Sequence, residues 1–216
     1  MPGQRPRPTL ITHFTHLDNM AAIVEHGLAS DAVVQNNGRM TTEAGNLRIK
    51  SQRRDRTIDI PPGGCVADYI PFYFAPRSPM LYSLKMGNVP TFQGDTHDFV
   101  YIVTSTEDLV SLGLTLVVTD RNAALDYAEM NYEHQCDDLV DWDLMRVKMW
   151  RSTDEDPTRR ERRMAECLVR ETIPFSVIAN LVVYGNSQRD KVEDMLESKG
   201  IGEDSCIVHV KPDWYF

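Results

Sequence analysis

The sequence predicts an α+β domain, and three observations carry that reading. Residues 99–103 and 114–118 have the β-branched and aromatic composition of central strands. Apolar residues recur at helical spacing over 18–27 and 187–199. The two patterns do not alternate in the regular way that builds a parallel sheet, and neither G-x-G-x-x-G nor a Walker sequence is present. At 216 residues, 42% hydrophobic and 25% charged, the chain can bury one substantial core. No compositional break marks a second unit, so 1–216 reads as a single domain, with a proline-punctuated flexible tail over 1–8.

The elements follow in order. Residues 9–16 form a strand, and Asp18 caps a short helix whose Met20, Ile23 and Val24 share a face and which Gly27 stops. On that strand His13 and Thr15 share a face. His16, at an odd offset from His13, points the other way and lies with Asn19 at the strand-to-helix turn. Residues 29–47 have weak periodicity and contain Asn36-Asn37-Gly38, the pattern of a long surface connection. A basic run follows (Arg48, Lys50, Arg53, Arg54, Arg56), then a short strand at 57–60 and the Pro61-Pro62-Gly63-Gly64 turn. Residues 69–82 are too aromatic for a loop, and Pro71, Pro76 and Pro79 remove three backbone donors, which predicts an edge strand that leaves the sheet and turns. Residues 106–112 form a helix between the two central strands, and 122–135 read as another, with Ala123, Ala124, Tyr127 and Met130 at helical spacing. Residues 139–150 suit a helix or a compact loop, and 151–163 a mobile polar loop. Strands at 164–169, 178–184 and 206–210 complete the chain, with an amphipathic helix at 187–199 ending at Gly200.

A net charge of −9 argues against a protein that coats nucleic acid non-specifically. The charge is uneven, though: the basic run at 48–56 and a second at 159–163 could hold a few phosphates of a short single strand, or be solvated loops. Cys65, Cys136, Cys167 and Cys206 have no paired spacing, which predicts reduced packing residues and no zinc site. No run of about 18 apolar residues exists, and the start of the chain lacks the apolar stretch of a secretory signal, so a cytoplasmic protein with no membrane association is expected.

The string Asp-Tyr-Ile-Pro-Phe-Tyr-Phe-Ala-Pro-Arg-Ser-Pro-Met-Leu-Tyr at 68–82 resembles the signature of the DarT toxins, bacterial enzymes that ADP-ribosylate bases of single-stranded DNA using NAD. Four further strings match in the family's order: Thr12-His13-Phe14-Thr15-His16 with Asn19, Ile49-Lys50-Ser51-Gln52-Arg53-Arg54, Thr119-Asp120-Arg121-Asn122-Ala123, and Arg163-Met164-Ala165-Glu166-Cys167-Leu168-Val169. The resemblance implies the ADP-ribosyltransferase fold, a split antiparallel or mixed sheet with NAD in the central cleft, NAD as co-substrate and no metal. His13, Thr15, His16, Asn19, Gly27, Arg53, Tyr73 and Met80 are then the expected NAD contacts. By the same resemblance residues 29–47 would lie over the bound NAD.

Glu166 is the expected catalytic carboxylate. Read by itself, a glutamate in an apolar strand pattern must face solvent, a partner or a ligand, because burying it unpaired is costly. The resemblance assigns it to the nicotinamide ribose and to the positive charge that develops when the glycosidic bond breaks, as in glycoside hydrolysis. Arg53 or Arg54 would favour the base anion, by electrostatics because a guanidinium keeps its proton. Lys148, Trp150, Arg160 and Arg163 are the expected DNA contacts, by stacking and by charge. Thymine is the expected acceptor, with guanine the alternative. Transfer to RNA or protein, plain NAD hydrolysis and a silent nucleotide-binding module are the other readings. A cognate antitoxin with an ADP-ribosyl-removing macrodomain is the partner that the resemblance implies.

Overall fold

The computed structural model of the chain describes residues 3–38, 42, 46–170 and 172–216. β1 (Leu10–His16) leads through a 3-10 turn into α1 (Met20–His26), followed by β2 (Leu28–Ala29), α2 (Asp31–Asn37) and α3 (Leu47–Asp55). The middle of the chain holds β3 (Tyr69–Tyr73), α4 (Pro79–Lys85), β4 (Phe99–Ser105), α5 (Thr106–Ser111), β5 (Leu116–Thr119) and β6 (Met130–Tyr132). The last third holds α6 (Trp142–Arg146), α7 (Arg159–Arg162), β7 (Glu166–Arg170), β8 (Thr172–Ile173), β9 (Asn180–Val183), α8 (Asn186–Ser198) and β10 (Ile207–Val210).

Among the described residues the main sheet has eight strands, in the order β10-β9-β4-β1-β3-β7-β5-β6, and β2 pairs separately with β8. β9 and β10 run parallel and the other pairs antiparallel. The sheet is split at its middle. β1 pairs with β4 along its whole length from Leu10 to His16, and β3 with β7 from Tyr69 to Tyr73, but β1 and β3 meet only at Thr12 and Tyr73. Pro71 sits at this parting. It has no N–H to give a neighbour, and its carbonyl lies 2.8 Å from the His13 ring Nδ1.

Alternation along the strands separates the cores. Ile11, Ile70, Phe72, Val100, Ile102, Leu181 and Val183 join Met20 and Ile23 of α1 and Val192 and Leu196 of α8 in the largest cluster. Phe99, Tyr101, Val103 and Val182, from the alternate positions, pack with Leu81 and Leu84 of α4, Phe92 and Tyr215. Ile11, Ile70 and Phe72 are wholly excluded from water, each worth about 1.5–3 kcal/mol of transfer free energy. Gly27 ends α1 with φ +86°. A Cβ there would stand 2.7 Å from the Ile173 carbonyl oxygen, so the close approach of β8 requires glycine.

Several expectations are corrected. The proline-rich strand is interior to the sheet, not at its edge: the split leaves one flank of β3 largely unpaired, which gives Pro71 the freedom that an edge would have given. The long connection at 29–47 contains α2, which Ser30 caps by accepting from the Val33 N–H at 3.4 Å and Gly38 ends in the left-handed region. The rest of that connection falls largely at 39–41 and 43–45, outside the described residues. The basic run lies on α3, capped by Asn46. At 57–60 there is a single bridge, Thr57 to Cys65, in place of a strand.

The helix expected over 122–135 is absent. The Asn122 side chain accepts from the Ala124 N–H (2.9 Å) and that of Asp120 from the Glu129 N–H (2.9 Å). These local bonds compete with helix formation and deliver Met130–Tyr132 to pair with β5. The 151–163 segment, expected to be a mobile loop, carries α7 and is tied by Arg162 to Asp141 (3.1 Å) and Asp156 (2.9 Å). The tail, expected to be flexible over 1–8, is anchored within its described part. Arg5 is buried and donates to Thr9 and Thr106, both at 2.8 Å, and to Glu133.

Candidate active site

The parting between β1 and β3 opens into a cleft of about 240 Å³. β1 contributes His13, Phe14 and Thr15, and β3 contributes Tyr69, Pro71 and Tyr73. α1 and the Gly27–Ala29 segment form one wall, α2 and the Ile49, Lys50 and Arg53 face of α3 another, and Met80 and Asn122 stand at the rim. Ile49 and Arg53 are one helical turn apart and share a face. Arg54, the next residue round the helix, leaves that face.

Beneath the cleft lies Glu166, the first residue of β7, with no solvent exposure. It pairs with Tyr73 across the sheet. Its carboxylate accepts from Arg53 Nη1 at 2.9 and 3.2 Å and from the Ala123 N–H at 3.2 Å, and its own N–H donates to Thr119 Oγ1 at 3.1 Å. A charge so deeply buried requires such a partner, because an uncompensated carboxylate would cost several kcal/mol (order of magnitude). Arg53 is itself mostly buried, and its Nη2 has no hydrogen-bond partner among the described residues. One guanidinium therefore joins the buried carboxylate to the cleft and keeps a donor in reserve.

His13 packs against Phe72 at 5.8 Å between ring centroids. The Pro71 carbonyl can only accept, so Nδ1 carries the proton and Nε2 is the acceptor of the neutral ring. Burial lowers the pKa of His13 below its ordinary 6.5, partly opposed by the Pro71 bond, and the nearby Arg53 charge lowers it further. The imidazole is therefore held neutral near pH 7. Burial, with the Glu166 charge next, raises the pKa of the Tyr73 phenol, which stays protonated with its hydroxyl 3.7 Å from the Met80 sulfur.

Of the expected catalytic groups, Glu166 and Arg53 meet. Arg54 does not: it is half exposed and donates to Gln35 at 2.7 Å, beside Asp31. Of the expected NAD contacts, His13, Thr15, Asn19, Gly27, Arg53, Tyr73 and Met80 line the cleft. His16 does not; its ring packs against Phe92 and Phe99, and Nδ1 accepts from the Asp18 N–H at 3.2 Å. Asn19 clasps the backbone of Thr42, with Nδ2 to the carbonyl and the N–H to Oδ1 both at 3.0 Å.

The expected DNA contacts divide. Lys148 and Arg160 are exposed. Trp150 is 9% exposed, its indole N–H donating to the Arg77 carbonyl at 2.8 Å, with Tyr82 and Phe216 edge-on. Arg163 is buried, donating to the carbonyls of Leu144 (2.6 Å), Val147 (3.0 Å) and Pro76 (2.8 Å), and burial pushes its pKa down to about 10. Both are spent on structure. Sequence reasoning gave no role to Ala123 or Thr119. Their signal was the 119–123 string, but a backbone N–H leaves no mark of its own in a sequence. Among the described residues no group of three His, Cys, Asp or Glu side chains is placed to hold a metal.

Residues 12–216 match the family model described as "DarT: ssDNA thymidine ADP-ribosyltransferase, DarT". The chain is 33% identical to a DNA ADP-ribosyl transferase of Mycobacterium tuberculosis, over 99% of this chain and 91% of that protein. It superposes on Thermus sp. 2.9 DarT in complex with ADP-ribosylated ssDNA with a TM-score of 0.90, at 29% identity and full coverage of both chains. The NAD+ complex of the same Thermus protein matches with a TM-score of 0.83 at 30% identity, covering 98% of this chain and 99% of that one. A Thermosipho africanus protein, described as a fusion of a DNA ADP-ribosyl transferase with a DNA ADP-ribosyl glycohydrolase, is 23% identical over 91% of this chain and 48% of its own length.

Proposed function

Because the chain belongs to the DarT family, we propose that it transfers ADP-ribose from NAD to thymine in single-stranded DNA as the toxin of a toxin-antitoxin pair. The observation that carries the reading is the Arg53 guanidinium, which bonds the buried Glu166 carboxylate while standing on the same cleft as His13. The cleft suits NAD. Arg53 Nη2, without a partner among the described residues, is a donor for an acceptor atom, and Gly27 lines the cleft beside it.

NAD supplies the ADP-ribosyl group, its nicotinamide leaving with the electron pair of the glycosidic bond. Glu166, a fixed negative charge in a water-excluded place, stabilises the positive charge that this departure puts on the sugar. Arg53 orients that carboxylate. It also stabilises the base anion as the thymine ring nitrogen gives its proton to solvent water and bonds to the sugar carbon. Tyr73 and Met80, in contact at 3.7 Å, line the same cleft and contact the bound NAD.

The experiment is incubation with NAD and a mixed-sequence single-stranded oligonucleotide, read by the mass of the DNA. One added ADP-ribose, mapped to thymine and absent with Glu166→Ala, is expected. Adducts on guanine would move the acceptor, and free nicotinamide over unmodified DNA would replace transfer by hydrolysis. The Thermosipho fusion supports a glycohydrolase as the neutralising partner. Co-expression of a DNA ADP-ribosyl glycohydrolase should rescue growth of cells that make the wild-type chain, and cells making Glu166→Ala should need no rescue.

A further inference from the structure

Asp120 closes the base of the loop that follows β5: its N–H donates to the Glu129 carbonyl at 3.2 Å and its side chain accepts from the Glu129 N–H at 2.9 Å. Tyr127 rides on this loop and is 58% exposed, yet its ring is held at two points. The phenol donates to Glu161 Oε2 at 3.3 Å, and the Arg121 guanidinium carbon lies 5.1 Å from the ring centroid. Arg121 in turn is fixed by Asp120 (2.7 and 2.8 Å) and by Glu161 (3.3 Å). A large exposed ring normally keeps its rotamer freedom; this one has already lost it. Ordering costs are thereby met before any ligand arrives.

The position of the ring gives that rigidity a use. Asn122 of the same loop lines the cleft, and the Ala123 N–H bonds Glu166, so Tyr127 stands four residues from the catalytic carboxylate's backbone contact. One ring face carries the Arg121 cation, and polarisation by a cation favours stacking of a nucleobase. Asp120 and Glu161 offset that cation, which makes the spot poor for a phosphate and suited to a flat neutral group.

We propose that Tyr127 is the stacking platform for a base next to the modified one, a substrate-positioning role that rests on the DNA-modifying reading above. Stacking on an aromatic side chain is tolerant of base identity, so the platform sets oligonucleotide affinity and not the acceptor.

The test is steady-state modification of oligonucleotides carrying one acceptor base, with an abasic site stepped through the flanking positions, for the wild-type chain, Tyr127→Ala and Tyr127→Trp. Expected is a rise of about tenfold in oligonucleotide KM for Tyr127→Ala, with kcat and the KM for NAD unchanged. Tyr127→Trp, which lacks the phenol but keeps a ring, should hold the wild-type KM within about twofold. At one flanking position the abasic site should cost the wild-type chain the same factor and cost Tyr127→Ala nothing further. A Tyr127→Ala variant that matches the wild-type KM, or one that loses the full factor at every abasic position, overturns the platform. So does a fall in kcat at saturating DNA without a change in KM, which is what a purely structural staple gives. If the wild-type chain leaves DNA unmodified, the parent reading falls with this one; modification indifferent to the ring overturns this one alone.

Discussion

Replacing Arg53 with alanine isolates the physics of the site from its chemistry. Glu166 has no exposure, and among the described residues Arg53 supplies the one charged group bonded to it. With that guanidinium gone, the carboxylate keeps, among the described residues, the Ala123 N–H alone. Removing one partner of a buried pair costs about 3–5 kcal/mol, because the other charge stays buried without compensation. A chain of this length loses about 2–4 °C of Tm per kcal/mol, so a fall of about 6–20 °C is expected. The assay is thermal and denaturant unfolding of four proteins: wild type, Arg53→Ala, Glu166→Gln and the double variant. Because Glu166→Gln removes the buried charge, the double variant should be more stable than Arg53→Ala. A double variant no more stable than Arg53→Ala, or an Arg53→Ala cost under about 1 kcal/mol, would refute the claim that the pair is coupled and desolvated.

Three further outcomes follow from the geometry. Gly27→Ala forces φ +86° on a residue whose Cβ meets the Ile173 carbonyl, so it should lower stability by more than about 1 kcal/mol and raise the KM for NAD, checked by unfolding and initial rates. Because burial keeps the folded pKa of His13 below 6.5, the unfolded chain binds its proton first; stability should be full above about pH 6.5 and fall as the pH drops from there towards the folded pKa, and His13→Gln should flatten that part of the Tm–pH curve. Arg163→Ala strands three carbonyls that its guanidinium now satisfies, so it should destabilise the fold by about 3 kcal/mol or more, visible by unfolding in the absence of DNA.

The legible part of the site was the part set by short-range periodicity. Strand parity put His13 and Thr15 on the face opposite His16, whose ring packs against Phe99, but the cleft also takes Phe14, which shares the parity of His16, because the split between β1 and β3 opens to both faces. The apolar alternation around Glu166 put it on a strand, where β7 begins. Helical spacing over 187–199 became α8, and the same kind of spacing over 122–135 misled, since the side chains of Asp120 and Asn122 bond the backbone locally. Arg163 and Trp150 read as surface contacts because their positions are polar or flank a polar loop. Their partners, Pro76 and Arg77, lie 87 and 73 residues away.

By itself the sequence determined the central strands and the α1 and α8 helices, which side chains on them share a face, and, through its matched strings, which family's chemistry to expect. The tertiary structure alone decided that Arg53 and not Arg54 meets Glu166 across 113 residues of chain, that β3 lies inside a split sheet, and that Arg163 is spent on carbonyls. The physical reason is that a residue's face follows from dihedral angles repeated every two or 3.6 residues, whereas a buried charge takes its partner from whatever packing brings within hydrogen-bond reach.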